Sequence, residues 1–363
     1  MKRFALGLVA YLAGLVIAAL VFEIALRFLP VPMGLYRTED YQRWPLQNYE
    51  PHLHYTTSLG WDLRDARFGS SNNYGQLAPF DFRPGSHPVV VIGDSFVDSQ
   101  MNWYSDTLQG QLGAMLGRPD SVYGLGANGL SVSDYLALAQ MATGEFSPTA
   151  AVFLVIDGDV SESLLRQVGH YYFAVRDDKA ELQYWPLYGQ TFSKALRRTL
   201  GDSALYRYVE LNLHFDPERL VTRAFVHSAV RSVAASQQRP MQSAEKQVID
   251  AFLVQLPTAL KLAPSCIALL FHEDTYAIVD SAAAVPLKDS TAVKDYFSSR
   301  ARDLGFRVVD LGKDFRSDYA RYGERLDHWP LDRHLNGRGH LLAAKAAYAA
   351  LFSGGSECRP GRP

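Results

Sequence analysis

Apolar residues along this chain are grouped in two ways, one long run at the front and many short runs later. After Met1-Lys2-Arg3, the residues from Phe4 to Phe22 are uncharged and mostly apolar; Glu23 and Arg27 then interrupt, and Pro30 and Pro32 close the segment. As a helix rising 1.5 Å per residue, those 19 residues span roughly 28 Å, against about 30 Å for a bilayer core. The apolar stretch of a signal peptide is usually shorter, about 7 to 15 residues. The pattern therefore predicts an uncleaved transmembrane anchor over residues 1–30, with a cleaved export signal or a buried helix as the alternatives. Lys2 and Arg3 keep their end cytoplasmic, which places the rest of the chain outside the inner (cell) membrane, on the periplasmic side. Glu23 and Arg27 lie one helical turn apart and are expected to pair at the outer interface.

The short runs begin at Pro88-Val89-Val90-Val91-Ile92, a β-branched segment ending at Gly93 and typical of a strand buried on both faces. Ala150 to Ile156, Cys266 to Phe271 and Phe306 to Leu311 are similar, and Ser121 to Leu125 is a weaker fifth. Helical spacing appears between them, over Thr107 to Leu116, Ser133 to Ala142, Ala244 to Leu262, Ala292 to Leu304 and Gly339 to Phe352. This alternation predicts an α/β domain over residues 87–353, a parallel sheet with crossover helices on both faces. Residues 31–86 carry aromatics and prolines without periodicity and read as a loosely packed connecting stalk; residues 354–363 read as a mobile tail. Residues 160–243 are far longer than a crossover needs and hold the aromatic stretches His170 to Phe173 and Tyr184 to Tyr188. They read as an insertion, a hairpin with helices above the sheet's ligand-binding edge, or as an aromatic subdomain packed on itself.

Composition narrows the function. The 363 residues include 36 Lys and Arg against 38 Asp and Glu, and a net charge of −2 lacks the cationic excess that a nucleic-acid partner demands. Two cysteines, Cys266 and Cys358, are too few for a disulfide scaffold and not clustered as metal ligands, so no metal or cofactor is implied. Cys266 sits in an apolar run and reads as a core thiol; a disulfide to Cys358 is the alternative open to an exported chain.

Candidate chemistry lies at two places. Gly93-Asp94-Ser95-Phe96 follows the first strong strand, where a serine projects its hydroxyl past the sheet edge and a small Gly93 allows a sharp bend. Such a nucleophile needs a base, and an imidazole base needs a group to hold its tautomer. Leu331-Asp332-Arg333-His334-Leu335-Asn336, just before the last helix, offers both. His340, in that helix's first turn, reads as structural support. His272-Glu273-Asp274, after the fourth strand, reads as pocket lining or as a solvated turn, and Asp94 and Asp98 as partners of local backbone.

These residues resemble the SGNH or GDSL-type serine hydrolases over roughly residues 88–159 and 327–352. Gly93-Asp94-Ser95-Phe96 matches the first block, Gly124 to Gly129 looks like the second, and Asp332-Arg333-His334-Leu335-Asn336 like the last; the Glu23-x-x-x-Arg27 ending of the apolar helix is also common in exported members. The resemblance implies a flavodoxin-like three-layer α/β/α body with a five-stranded parallel sheet. It assigns Ser95 as nucleophile, His334 as base and Asp332 as its orienting acid, with Asp327 as fallback acid. The oxyanion donors are then the amides of Ser95 and Gly129. Two departures stand out: the acid is two residues before the histidine, as in alginate-acetylating relatives, and the third block, normally Gly-x-Asn-Asp, reads Asp157-Gly158-Asp159-Val160. Asp159 thus replaces an oxyanion-donating asparagine. An ionised carboxylate about 4 Å from an oxyanion costs about 4 kcal/mol at an effective dielectric of 20, as much as a donor contributes. The expectation is therefore a protonated Asp159, paired with Asp157 and favouring mildly acidic pH, or weak activity.

The implied activity is a membrane-anchored serine esterase or O-acyltransferase acting on acyl esters, O-acetyl groups above all, of a glycan or polysaccharide that stacks on the aromatic insertion. A catalytically lapsed relative that binds a glycan or envelope partner is the alternative. A phosphate-binding flavodoxin-like protein is disfavoured, since no glycine-rich phosphate loop follows any strand.

Overall fold

The computed structural model describes residues 2–37, 44–46, 48–177, 179–186, 201–215, 240–279, 289, 291–353 and 358. In chain order the elements used below are α1 (Lys2–Leu26), β1 (His54–Leu59), β2 (Arg64–Ser70), β3 (Val89–Gly93), α2 (Ser95–Asp98), α3 (Leu108–Met115), β4 (Val122–Gly126), α4 (Val132–Phe146), β5 (Ala150–Val155) and α5 (Asp159–Glu162). They continue with β6 (His170–Arg176), β7 (Lys179–Trp185), α6 (Ala204–Arg207), α7 (Ser243–Leu260), β8 (Ile267–Phe271), α8 (Thr275–Val279), α9 (Thr291–Asp303) and β9 (Arg307–Asp310). The last are α10 (Leu311–Tyr322), β10 (Asp327–His328), β11 (Asp332–Leu335) and α11 (Gly337–Phe352).

Five strands make one parallel sheet in the order β4-β3-β5-β8-β9, which is the flavodoxin-like order of a doubly wound fold. Because side chains alternate along a strand, each strand feeds both faces. Val90 and Ile92 of β3 join a core with Tyr135 of α4, Phe252 of α7 and Phe297 of α9. Val89 and Val91 join another with Leu108 and Leu112 of α3, Phe315 of α10 and Ala343, Ala344 and Ala347 of α11. Full burial of all five β3 residues explains why that strand carries no polar position. The strand order reverses between β3 and β5, so the crevice beyond their carboxyl ends is where this topology places a ligand.

Two expectations are corrected. The described part of residues 31–86 is no loose stalk: Trp44, Leu46, Tyr74, Ala78 and Phe82 are buried in the same core as β3, and Phe82 stacks on Tyr123 of β4 with ring centres 4.0 Å apart. The aromatics were unperiodic because they enter the core from irregular segments and from around the β1–β2 hairpin. Cys266 is no free core thiol: it is bonded to Cys358, closing a separation of 92 residues, and Cys358 is buried against the helical face that carries α11.

The insertion contains the antiparallel hairpin β6–β7, which packs on α4 and α7. Tyr171 and Tyr184 pair across the two strands. The rest of the insertion within residues 187–200 and 216–239, including Leu187 and Tyr188, lies outside the described residues.

Candidate active site

The end of β3 turns directly into α2, whose first residue is Ser95. Asp94 caps that turn, its carboxylate accepting from the Phe96 amide at 2.9 Å. Gly93 and Gly126 are required here for space, with no unusual backbone angle involved. A Cβ on Gly93 would fall 2.5 Å from Val97 Cγ2, and one on Gly126 would fall 2.7 Å from the Asp98 amide nitrogen. The second-block glycine thus lets the serine turn lie flat on the end of β4.

The antiparallel pair β10–β11 carries the other half of the site. Asn336 fixes it, donating to the carbonyls of Arg325 (2.9 Å) and Asp327 (3.0 Å) while its side-chain oxygen caps α11 through the Arg338 and Gly339 amides. Asp332 Oδ1 accepts from the His334 amide at 2.8 Å and lies 2.5 Å from His334 Nδ1; His334 Nε2 lies 2.7 Å from Ser95 Oγ. Serine, imidazole and carboxylate are therefore in line across 239 residues of sequence. An acid two residues before the base works because both sit on a short strand edge whose amide also binds the carboxylate.

Electrostatics suit a base. Burial alone lowers the His334 pKa, but the hydrogen bond and charge of Asp332 outweigh it, and the net shift is upward. Burial raises Asp332, and its bonds to His334 more than reverse that, so it stays ionised. The side chains of His334 and Asp332 remain 25% and 20% exposed, which leaves the site open to solvent and substrate. Phe96 lies between His334 and His272, 4.6 and 4.7 Å from their ring centres. His272 is thus a packing neighbour of the site, and burial pushes its pKa down to about 3.

Asp327, the fallback acid, is elsewhere: it pairs with Arg325 at 2.8 Å and accepts from the Thr275 hydroxyl at 2.7 Å. Gly129 is exposed with φ +78°, and among the described residues its amide makes no hydrogen bond. Asp159 is buried; its Oδ2 accepts from Tyr135 OH (3.0 Å) and the Ile156 amide (2.9 Å), while Oδ1 has no partner among the described residues. Burial first, then the charge of Asp94, push Asp159 well above the usual carboxylate range. Burial also pushes Asp94 and Asp98 up, each to about 6.

Sequence reasoning missed several supporting residues. Asn102 donates to the Leu335 carbonyl (2.8 Å) and to Ser99 Oγ (2.9 Å), and its oxygen lies 3.2 Å from His328 Nε2, so it bolts the serine loop to the histidine loop. Asp289 accepts from the amides of Gly158, Val160 and Ser161, fixing the turn that bears Asp159. Tyr276 donates to the Asp332 carbonyl at 3.1 Å and lies beneath the guanidinium groups of Arg325 and Arg333. Apart from the Asn102 bond to Ser99, every partner is remote in sequence, so the sequence gives little local signal for them. Among the described residues, no three His, Cys, Asp or Glu side chains are grouped to hold a metal ion.

No family model and no curated protein matches the chain. Among solved structures it is similar to an alpha/beta hydrolase enzyme from the metagenome of Lake Arreo, Spain, with 16% identity, a TM-score of 0.40 and coverage of 74% of this chain and 96% of that one. It is also similar to an acetyl xylan esterase, AlAXEase (13% identity, TM-score 0.37, 73% and 100% coverage). A third is a member of the lipolytic protein G-D-S-L family from Veillonella parvula (13% identity, TM-score 0.34, 73% and 98% coverage).

Proposed function

We propose that the chain is an SGNH-type serine hydrolase, a membrane-anchored, extracytoplasmic esterase or O-acyltransferase that acts on acyl esters, O-acetyl groups of a glycan above all. The observation that carries this reading is the alignment of Ser95 Oγ, His334 and Asp332 at 2.7 and 2.5 Å. With Nδ1–H donated to Asp332, Nε2 holds a lone pair toward the Ser95 hydroxyl. His334 takes that proton as Ser95 Oγ bonds to the ester carbonyl carbon, and returns it to the departing alcohol. Water or a sugar hydroxyl then attacks the acyl-serine, with His334 again as base. The oxyanion is assigned to the amides of Ser95 and Gly129, neither of which needs an internal acceptor where it sits. Asp159 joins them as a donor when protonated; Oδ2 already accepts two hydrogen bonds, so the proton belongs on Oδ1.

The join between α1 and the body supports this location. Leu26 and Val31 are buried against Ala204, so the end of α1 is a structural part of the folded domain, which favours an uncleaved anchor over a removed signal. The Cys266–Cys358 bond favours an oxidising compartment.

The test uses the full chain in detergent micelles, incubated with a fluorophosphonate probe and with p-nitrophenyl acetate. Labelling at Ser95 with ester turnover supports the proposal. No labelling between pH 5 and 9 in folded protein overturns it in favour of the lapsed, glycan-binding alternative.

A further inference from the structure

The surface between the membrane helix and the site is not used by the chemistry. Glu23, near the end of α1, accepts from the Ser203 hydroxyl (2.8 Å) and from the amides of Ala204 (3.2 Å) and Leu205 (2.9 Å), while Arg27 donates to the Asp202 carbonyl (3.0 Å). The insertion therefore returns to the membrane helix and is fastened there. One turn later Tyr208 OH donates to the Trp61 carbonyl (2.6 Å), and the Asn212 side chain donates to the carbonyls of Ser58 (3.2 Å) and Gly60 (3.1 Å). Gly60 in turn lies against Leu331: a Cβ there would fall 2.7 Å from Leu331 Cδ1. Leu331 precedes Asp332. A continuous run of contacts thus connects the end of the apolar helix with the catalytic loop.

Large apolar side chains stand out into solvent along this run. Phe28 is 84% exposed, Trp61 71%, Leu213 46% and Phe215 48%. Single exposed apolar residues need no explanation. These differ in being continuous with an apolar helix whose residues 4–22 are all exposed. The mixture of Trp, Tyr and Phe around Trp61 and Tyr208 is also what a headgroup layer favours, where an aromatic body meets lipid and a polar tip meets water.

We infer that residues 203–215 and the 58–61 turn form a second membrane contact, lying in the headgroup layer of the same bilayer that α1 crosses, and that this contact holds the mouth of the Ser95 site beside the lipid surface. The inference rests on the reading of α1 as a membrane span. The domain is then clamped at two places, and cannot swing freely on a tether.

Four variants of the full chain, W61C, L213C, V254C and G14C, each labelled at its one added thiol with a nitrobenzoxadiazole fluorophore while the Cys266–Cys358 bond is kept, test this in vesicles of phosphatidylethanolamine and phosphatidylglycerol. Part of the lipid carries bromine either near the headgroup or deep in the acyl chains. Val254, exposed on α7, is the control remote from the contact, and Gly14 the control for the span. The expected result is quenching at 61 and 213 by the shallow bromines at least about twofold stronger than at 254, as for side chains about 5 to 10 Å into the interface, and quenching at 14 by the deep bromines. Deep quenching at 14 with 61 and 213 indistinguishable from 254 overturns the second contact and leaves the span intact. A label at 14 untouched by deep bromines overturns both.

Discussion

Among the described residues two serine–histidine pairs stand close together, and one of them is arranged for proton transfer. Ser95 Oγ is 2.7 Å from His334 Nε2, and Ser99 Oγ is 2.9 Å from His340 Nε2. Both close over about the same length of chain, 239 and 241 residues. The difference lies at the far side of each ring. His334 Nδ1 faces the Asp332 carboxylate, so the proton sits there and Nε2 is a base toward serine. His340 Nδ1 accepts from the Leu108 amide at 3.2 Å, so its proton must sit on Nε2 and is donated to Ser99. Ser99 is further occupied by Asn102. His340 has no exposed surface, and burial pushes its pKa down to about 3, while that of His334 is raised. A short distance from serine to imidazole is therefore no sign of a nucleophile; the group on the other nitrogen decides.

The sharpest way to break this contrast is to remove the hydroxyls separately. Ser95→Ala should abolish probe labelling and lower kcat by about 10⁶-fold, as in other triads, with His334→Ala nearly as severe. Ser99→Ala should keep labelling and keep kcat within about tenfold; loss of labelling in a folded Ser99→Ala protein would mean the two pairs had been assigned the wrong way round. Next comes the carboxylate: Asp332→Asn should cost about 10⁴-fold in kcat by favouring the wrong tautomer. In the parent, kcat/KM should rise with pH through a midpoint above 6.5, because the neutral ring is the working form and Asp332 raises its pKa. The same variant should move that midpoint down, and a fixed midpoint would show that another group titrates.

The structural pair should answer in stability instead. His340→Ala leaves the Ser99 hydroxyl and the Leu108 amide without their partner and opens a cavity, a loss of about 3 kcal/mol in urea unfolding. A histidine held neutral at a pKa near 3 stabilises the fold fully above the unfolded value of 6.5 and progressively less as pH falls toward 3. Stability should fall between pH 7.5 and 5 in the parent and fall less steeply in His340→Gln; equal slopes would remove His340 from the account. The smallest effect expected is at Asp159. On the proposed role of protonated Asp159 as a donor, activity should decline at alkaline pH, and Asp159→Asn should raise ester turnover at pH 8 by about tenfold. An unchanged rate would show that Asp159 does not face the oxyanion.

The legible parts of the molecule were those in which the determining residues are neighbours in sequence. Val89 to Gly93 needs nothing beyond its own β-branched run to be read as a core strand, and Asp332 and His334 sit in one short segment that suggests both acid and base. His340 was readable as support from its place in the first turn of α11. Residues 31–86 were not legible, because Trp44, Tyr74 and Phe82 enter the core singly, and β1 and β2 are partly exposed strands without clean alternation. Asn102 and Asp289 could not be found from sequence, since the bonds by which they join separate loops go to partners far along the chain. Glu23 announced itself as a carboxylate ending an apolar run, but the turn it caps lies 180 residues away.

The bond between Cys266 and Cys358 encloses Asp332 and His334 and excludes Ser95. In the chain-entropy picture, closing a loop of that length penalises the unfolded state by about 4 to 5 kcal/mol, and the closed loop is the one that carries acid and base. The covalent constraint thus lies on the side of the acid and base and not on the serine strand. Reducing conditions would open the covalent loop that holds the imidazole and leave the serine strand with the bonds it already has.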